Sequence, residues 1–265
     1  MNIGMITCNY FMRVYNYQRP EPFNWGDMSD KWRSEFKEAD FLNLAKEIYD
    51  MGYDNLEIWE PTFSYKVYTD GQAAALAAKL RDMGFKNLVY CIGGWGKGSI
   101  PDIEKEYAFA KAMGAKVLTG CMIQADAPEI ITELERVGEK YDLLFAIENH
   151  PLPNIESPIK VAEFIKDCKY VGANLDTGIY NQQCYDVLAA ADILKDKIYH
   201  SHFKDTVKGG SGCLPIGDGD APTAGLLRKF KEWGFKYMVS VEFEYPEDPA
   251  PGLRKSIAYM KDVLK

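Results

Sequence analysis

The sequence predicts a single α/β domain over residues 1–265, a (β/α)8 TIM barrel, on three observations. One helix-to-strand junction recurs: MGYDNLEIW (51–59), MGFKNLVYC (83–91), MGAKVLTG (113–120) and WGFKYMVSV (233–241). In each, a large apolar residue ends a helix, a glycine turns the chain, and an apolar strand follows. Glycine suits the turn because, lacking a Cβ, it tolerates positive φ. Strand starts then recur near 3, 55, 87, 116, 143, 171, 198 and 238. The segments between them have helical spacing, and strict alternation of strand and helix builds right-handed βαβ units on a parallel sheet. Eight units favour a closed barrel, whose usual size is about 250 residues.

The first strand starts almost at once, in MNIGMITCNY. Residues 8–40 then form a long connection containing YQRPEPFNWGDMSDKW. Loops beyond about 12–15 residues are uncommon unless functional, and this one falls on the C-terminal face, where barrel sites form. It is expected either to cover substrate or to pack on itself through Phe23, Trp25 and Trp32. The segment 41–51 puts Phe41, Leu44, Ala45, Ile48 and Met51 on one helical face. Segments 73–83, 106–113, 129–137 and 225–233 behave similarly. Ser157-Pro158 before IKVAEFI reads as an N-cap followed by proline at the first helical position. PAPGLRKSIAYMKDVLK closes the chain as a helix. The first βα turn lacks a G-x-G-x-x-G pattern, which weakens a dinucleotide reading. No second domain or low-complexity linker is expected.

Composition narrows the function. Hydrophobic content of 47% and charged content of 26% suit an ordinary globular enzyme. No apolar run approaches the ~20 residues that span a bilayer, and the N-terminus lacks a signal-peptide layout. Cys8, Cys91, Cys121, Cys168, Cys184 and Cys213 are scattered without a C-x-x-C pair, so neither a zinc ribbon nor a redox motif is supported. They are read as reduced thiols of a cytoplasmic protein. A net charge of −8 speaks against nucleic acid, whose phosphates need a basic surface. It suits a small neutral substrate, or a cation held by carboxylates. No membrane partner is expected, and self-association is left open.

Parity locates the chemistry. Alternate side chains of a barrel strand face the interior. In YHSHFKDT (199–206) that alternation turns His200, His202 and Lys204 inward. In LLFAIENH it turns Ala146, Glu148 and His150 inward; in VGANLD, Asn174 and Asp176; in MVSVEFE, Ser240, Glu242 and Glu244; in NLEIWE, Glu57 and Trp59. Clustered carboxylates in a confined site cannot all stay ionised without compensation. Glu148, Asp176, His202 and Glu242, one from each of four consecutive strands, make a mixed oxygen and nitrogen ligand set for a divalent cation, suited to Mn2+, Mg2+ or Co2+, with Zn2+ also open. His150, His200, Lys204, Glu57 and Trp59 are expected to face substrate. His150 and His200 could instead orient a metal ligand or cap a strand, and Lys204 could pair with Asp205 or another carboxylate at the mouth.

With these residues in place, the chain resembles the xylose isomerase-like TIM barrels, in the sugar isomerase/epimerase branch. That branch includes hydroxypyruvate isomerase, ketose 3-epimerases, and inosose isomerases and dehydratases. The resemblance covers essentially the whole chain. It rests on AIENH (Glu148), NLDTG (Asp176), HSHFKD (His202) and VSVEFE (Glu242), in the family's order on strands five to eight, and on IGDGD (216–220). It implies that Glu148, Asp176, His202 and Glu242 bind one divalent ion, usually Mn2+ or a close relative. It also implies that one or both of Glu148 and Glu242 exchange protons with substrate carbon. The implied activity is a sugar isomerase or epimerase working through an enediolate beside the carbonyl of a ketose or keto-polyol. Loss of a β-substituent after the same proton removal would make it a lyase or dehydratase of a keto-sugar or keto-inositol.

Two departures leave the substrate open. Epimerases of the group often carry a histidine three residues after the strand-six aspartate; here the residue is Ile179. The arginine that some epimerases use after strand seven has no counterpart in TVKGGSGCLPIGDG. The KGGSGC segment (208–213) could hold a phosphate or serve as a lid, and an unphosphorylated sugar or polyol is preferred. Apurinic-site endonucleases share the barrel, but they hold several zinc ions with many histidines and bear a DNA-binding surface. Three histidines and a charge of −8 argue against that reading. A barrel that binds sugar without turnover is the remaining alternative.

Overall fold

The computed structural model describes residues 1–93, 100–120 and 127–265. Its strands are β1 (Asn2–Ile6), β2 (Asn55–Trp59), β3 (Asn87–Cys91), β4 (Val117–Gly120), β5 (Leu144–Glu148), β6 (Val171–Asn174), β7 (Ile198–Phe203) and β8 (Met238–Val241). They form a closed barrel in chain order, and β8 pairs with β1 in parallel from Met238 opposite Asn2 to Val241 opposite Met5. Every strand starts within one residue of its expected position. Gly52, Gly84, Gly114 and Gly234 adopt φ of 100°, 114°, 78° and 65°. These are the left-handed turns the recurring junction required.

The helices are α1 (Trp25–Glu35), α2 (Glu38–Asp50), α3 (Asp70–Met83), α4 (Ile100–Met113), α5 (Ala127–Tyr141), α6 (Pro158–Ile165), α7 (Thr177–Gln182), α8 (Val187–Leu194), α9 (Thr223–Trp233) and α10 (Ala250–Val263). Helix α2 buries Phe41, Leu44, Ala45 and Ile48, the stripe its spacing predicts. Thr69 and Gln72 cap α3 reciprocally, and Ser157 Oγ accepts the Lys160 N–H at the start of α6. Helices α7 and α8 go beyond the elements expected from the sequence. Asp176 and Asp186 cap them.

The connection 8–40 is more ordered than a loop. It contains a 3-10 turn at Arg13–Tyr15 and helix α1. Asn24 Oδ1 accepts the Gly26 and Asp27 N–H groups at 2.7 and 3.1 Å and starts α1. Only Met28 and Trp32 of α1 are buried. The Trp32 indole N–H donates to Phe11 O at 2.9 Å, and Arg33 grips the buried carboxylate of Glu60, one residue past β2. These contacts fasten α1 to the rim where the strands end.

One irregularity serves the interior. The β6–β7 ladder shifts register between Ala173 and Asn174. There the Asn174 side-chain oxygen accepts the His202 N–H at 3.0 Å, so a side chain completes the ladder. Cys8, Cys91, Cys168, Cys184 and Cys213 are free thiols; Cys121 lies outside the described residues. No described helix is long and apolar enough to cross a membrane.

Candidate metal centre

Four strand ends supply the donors. Glu148 is the last residue of β5, Asp176 follows β6, His202 lies in β7, and Glu242 follows β8. Each offers one ligand atom, and these atoms all lie within 4.8 Å of one another. His202 Nδ1 is 2.6 Å from Glu148 Oε1 and 3.0 Å from Glu242 Oε2. Asp176 is fully buried, with His202 at 2% exposure and Glu242 at 6%. Asp176 Oδ1 accepts the Ile179 N–H at 2.7 Å, yet its Oδ2 has no hydrogen-bond partner. Buried polar atoms are rarely left unpaired. Three carboxylates, one imidazole and a buried Asp176 oxygen without a hydrogen bond fit a hard divalent cation.

The surroundings carry a surplus of negative charge. Lys204 Nζ lies 3.1 Å from Glu244 Oε2, 3.2 Å from Glu242 Oε2 and 3.6 Å from Asp176 Oδ2. Burial lowers the Lys204 ammonium, but Glu242, Glu244 and Asp176 outweigh it and hold the group well above its ordinary value. Burial pushes the Asp176 carboxyl up to about 7, with Lys204 opposing and Glu242 and Glu148 reinforcing. Burial also raises Glu148, but the His150 and His202 rings win and hold it well below the usual carboxylate range. His150 Nε2 sits 2.7 Å from Glu148 Oε2. Glu148 is therefore an ionised carboxylate with an imidazole behind it.

A second layer lies beneath. Glu57 and His200 are fully buried. His200 Nε2 is 2.8 Å from Glu57 Oε2, His202 Nε2 is 3.1 Å from both Glu57 oxygens, and Thr119 Oγ donates to Glu57 Oε1. Neither Glu57 nor His200 lines the cavity above, so the geometry does not bring them to a substrate as the sequence led us to expect. Lys204 also pairs with the floor carboxylates and not with Asp205. Asp205 instead accepts the Thr206, Gly217 and Ala221 N–H groups, and so ties down the IGDGD segment.

The cavity measures about 390 Å3. Glu148, His150, His202, Glu242 and Glu244 form its polar floor, and Trp25 and Trp59 stand in its wall. Trp59, expected to face substrate, lines this cavity. Trp25 arrives from α1, half-exposed and stacked on Phe11 at 5.2 Å. Residues missed in the sequence hold the floor in place. Asn149 receives the Asp176 N–H at 2.8 Å and donates to Asp176 O. Thr177 Oγ exchanges hydrogen bonds with the Lys204 backbone at 2.8 and 3.0 Å. Gly178 makes room for the Lys204 stem, since a Cβ there would lie 2.6 Å from Lys204 Cγ. Asn149 has outward parity, which hid it; Glu244 was read as inward with Glu242 but not counted among the site residues. The KGGSGC segment is an exposed turn, with Asp220 Oδ1 accepting the Lys208 N–H.

A family model described as "Xylose isomerase-like TIM barrel" matches residues 45–263. No curated protein matches the sequence. The solved structure of 3-keto-D-glucoside 4-epimerase from E. coli is similar, at TM-score 0.71 and 17% identity over 99% of each chain. So is a D-tagatose 3-epimerase-like protein, at 0.71 and 17% over 100% of this chain and 97% of that one. A probable 3-DHS dehydratase involved in petrobactin synthesis, from Bacillus anthracis, superposes at 0.73 with 14% identity over 100% and 99%. At such identities these three likenesses speak for the fold alone.

Proposed function

We propose, from the premise that this chain belongs to the xylose isomerase-like TIM-barrel family, that it is a divalent-metal-dependent sugar isomerase or epimerase. Its substrate would be an unphosphorylated ketose or related keto-polyol, and its reaction a proton transfer at the carbon beside the carbonyl. One observation carries the reading: four donor residues at the ends of β5, β6, β7 and β8 bring ligand atoms within 4.8 Å of one another, with Asp176 Oδ2 buried and without a hydrogen bond, beneath a cavity that Glu148, His202 and Glu242 line. Glu148, Asp176, His202 and Glu242 would hold the cation, Mn2+ above Mg2+, Co2+ or Zn2+. A cation bound there supplies Lewis acidity to a substrate carbonyl.

The chain's own groups then divide the proton work. Glu148 and Glu242 stand on strands three places apart in the ring, so they face the pocket from different sides. An ionised Glu148 backed by His150 is suited to remove a proton. Glu242, kept ionised by Lys204 at 3.2 Å, faces the site from the other side and returns a proton only after taking one up. Trp25 and Trp59 offer apolar faces to a sugar ring and keep water from the floor.

A second reading is elimination, making the protein a lyase. His150, which lines the cavity and which Glu148 holds above its ordinary value against the effect of burial, is an acid placed to protonate a departing hydroxyl. The test is incubation with Mn2+ and a panel of ketoses and inososes in D2O. Deuterium uptake without loss of a group supports the isomerase. An unsaturated product selects the lyase. No exchange on any substrate, with no cation uptake by calorimetry, overturns both.

A further inference from the structure

We infer that Glu57 is a positioning residue: its buried carboxylate holds the Nε2–H edge of His202 and so leaves Nδ1 as the nitrogen turned to the cation site. The inference rests on the reading of His202 as a ligand. An ionised carboxylate only accepts hydrogen bonds. Any nitrogen facing it at bonding distance must therefore carry the hydrogen. His202 turns Nε2 toward Glu57 at 3.1 Å from both oxygens, and turns Nδ1 toward Glu148 and Glu242 at 2.6 and 3.0 Å. Without a cation Nδ1 therefore carries a hydrogen too; a cation entering beside Glu148 and Glu242 displaces that hydrogen, while the Nε2 hydrogen stays on Glu57.

The carboxylate is itself held. Thr119 Oγ anchors Oε1, and His200 Nε2 anchors Oε2 at 2.8 Å. His200 is thereby also an Nε2–H ring, and its Nδ1 is buried without a partner, as a bare nitrogen would be. The rings of His200 and His202 meet edge to face at 87°. Glu57 has no exposed surface and no place on the cavity wall, so substrate does not reach it. Glu57, His200 and His202 could alternatively hold a second cation, because their ligand atoms also lie within 4.8 Å. The observed separations of 2.8 and 3.1 Å are ordinary hydrogen-bond lengths, and the zero exposure of Glu57 and His200 closes the entry path.

The chain has three histidines, so long-range 1H–15N spectra resolve each ring. They are recorded on EDTA-treated protein and after Zn2+ loading. Nε2 of both His200 and His202 is expected to be protonated in the two states, while His202 Nδ1 shifts on loading. A bare Nε2 on His202 overturns the inference. Calorimetry on the same samples shows whether a cation binds at all, so a failure of the metal reading is seen separately from a failure of the Glu57 assignment. Uptake of two ions per chain also overturns it, by making the lower cluster a metal site. Glu57→Gln adds an amide donor against the two ring N–H groups, and should weaken Mn2+ binding about 10- to 100-fold, the usual cost of losing a partner behind a ligand, with a changed His202 tautomer. Wild-type affinity and an unchanged spectrum in that variant would refute it. The wild-type spectra need no variant, so the test stands however Glu57→Gln folds.

Discussion

Replacing Asp176 with asparagine should make the metal-free protein more stable at alkaline pH while removing its response to metal. The side-chain oxygen of the introduced asparagine can still accept the Ile179 N–H that Asp176 accepts now at 2.7 Å, and asparagine caps helices as well as aspartate. The substitution turns Oδ2, which has no hydrogen bond, into an amide that cannot ligate. Asp176 has a folded-state value of about 7 against an ordinary 3.8. The unfolded chain therefore releases this proton near pH 4, and the folded chain only near 7. Between those limits the native state binds more protons, so stability falls as pH rises and is flat outside the window. At about 1.4 kcal/mol per unit the loss is about 4 kcal/mol, a ceiling because Lys204, Glu148 and Glu242 titrate with it. Urea unfolding of EDTA-treated protein from pH 4 to 8 should show wild type declining relative to Asp176→Asn. Mn2+ at a hundredfold excess over its Kd should then add about 2.7 kcal/mol to wild type and nothing at the same concentration to the variant. Parallel pH curves, or equal stabilisation by Mn2+, would refute the reasoning.

Trp32→Ala empties a fully buried indole site and breaks its bond to Phe11 O, so unfolding free energy should drop by about 3–5 kcal/mol; a loss under about 1 kcal/mol would mean α1 is not anchored there. Gly178→Ala drives a methyl into the Lys204 stem and should cost about 1–3 kcal/mol despite alanine's helix preference. A stabilised variant would show that the lysine yields freely. Glu148→Gln should slow substrate deuterium exchange by about 10^2–10^4-fold, and exchange at the wild-type rate removes it from the proton path. Trp25→Ala, at a half-exposed position, should raise KM with little change in the urea midpoint, read by steady-state kinetics and unfolding together.

The strands were legible because a parallel strand is an apolar run between turn signals, and the glycine junctions marked four of the boundaries. Parity then told which side chains face the axis, and the structure brings Glu148, Asp176, His202 and Glu242 together. Parity does not give height. Glu57 and His200 point inward as expected, yet they lie below the cavity, because depth along the axis depends on the stagger with which the ring closes, and no single strand encodes that. Helix α1 escaped notice because two buried residues, Met28 and Trp32, make too narrow a stripe to register as periodicity. Helix α7 spans only six residues and depends on the Asp176 cap. The VLAAADIL stretch of α8 does bury Val187, Ala190, Ala191 and Leu194 at helical spacing, and was readable.

The ring is sealed by pairing β8 with β1, the two ends of the fold in sequence. Of the four donors, Glu242 is the last to be synthesised. A nascent or partly unfolded chain can build most of its staves yet has no complete claw until the final one docks. If the proposed site takes a cation, its capture would sense the seam: a probe of bound Mn2+ would report on barrel closure itself, and ions present during refolding should select closed rings over open ones without touching earlier steps.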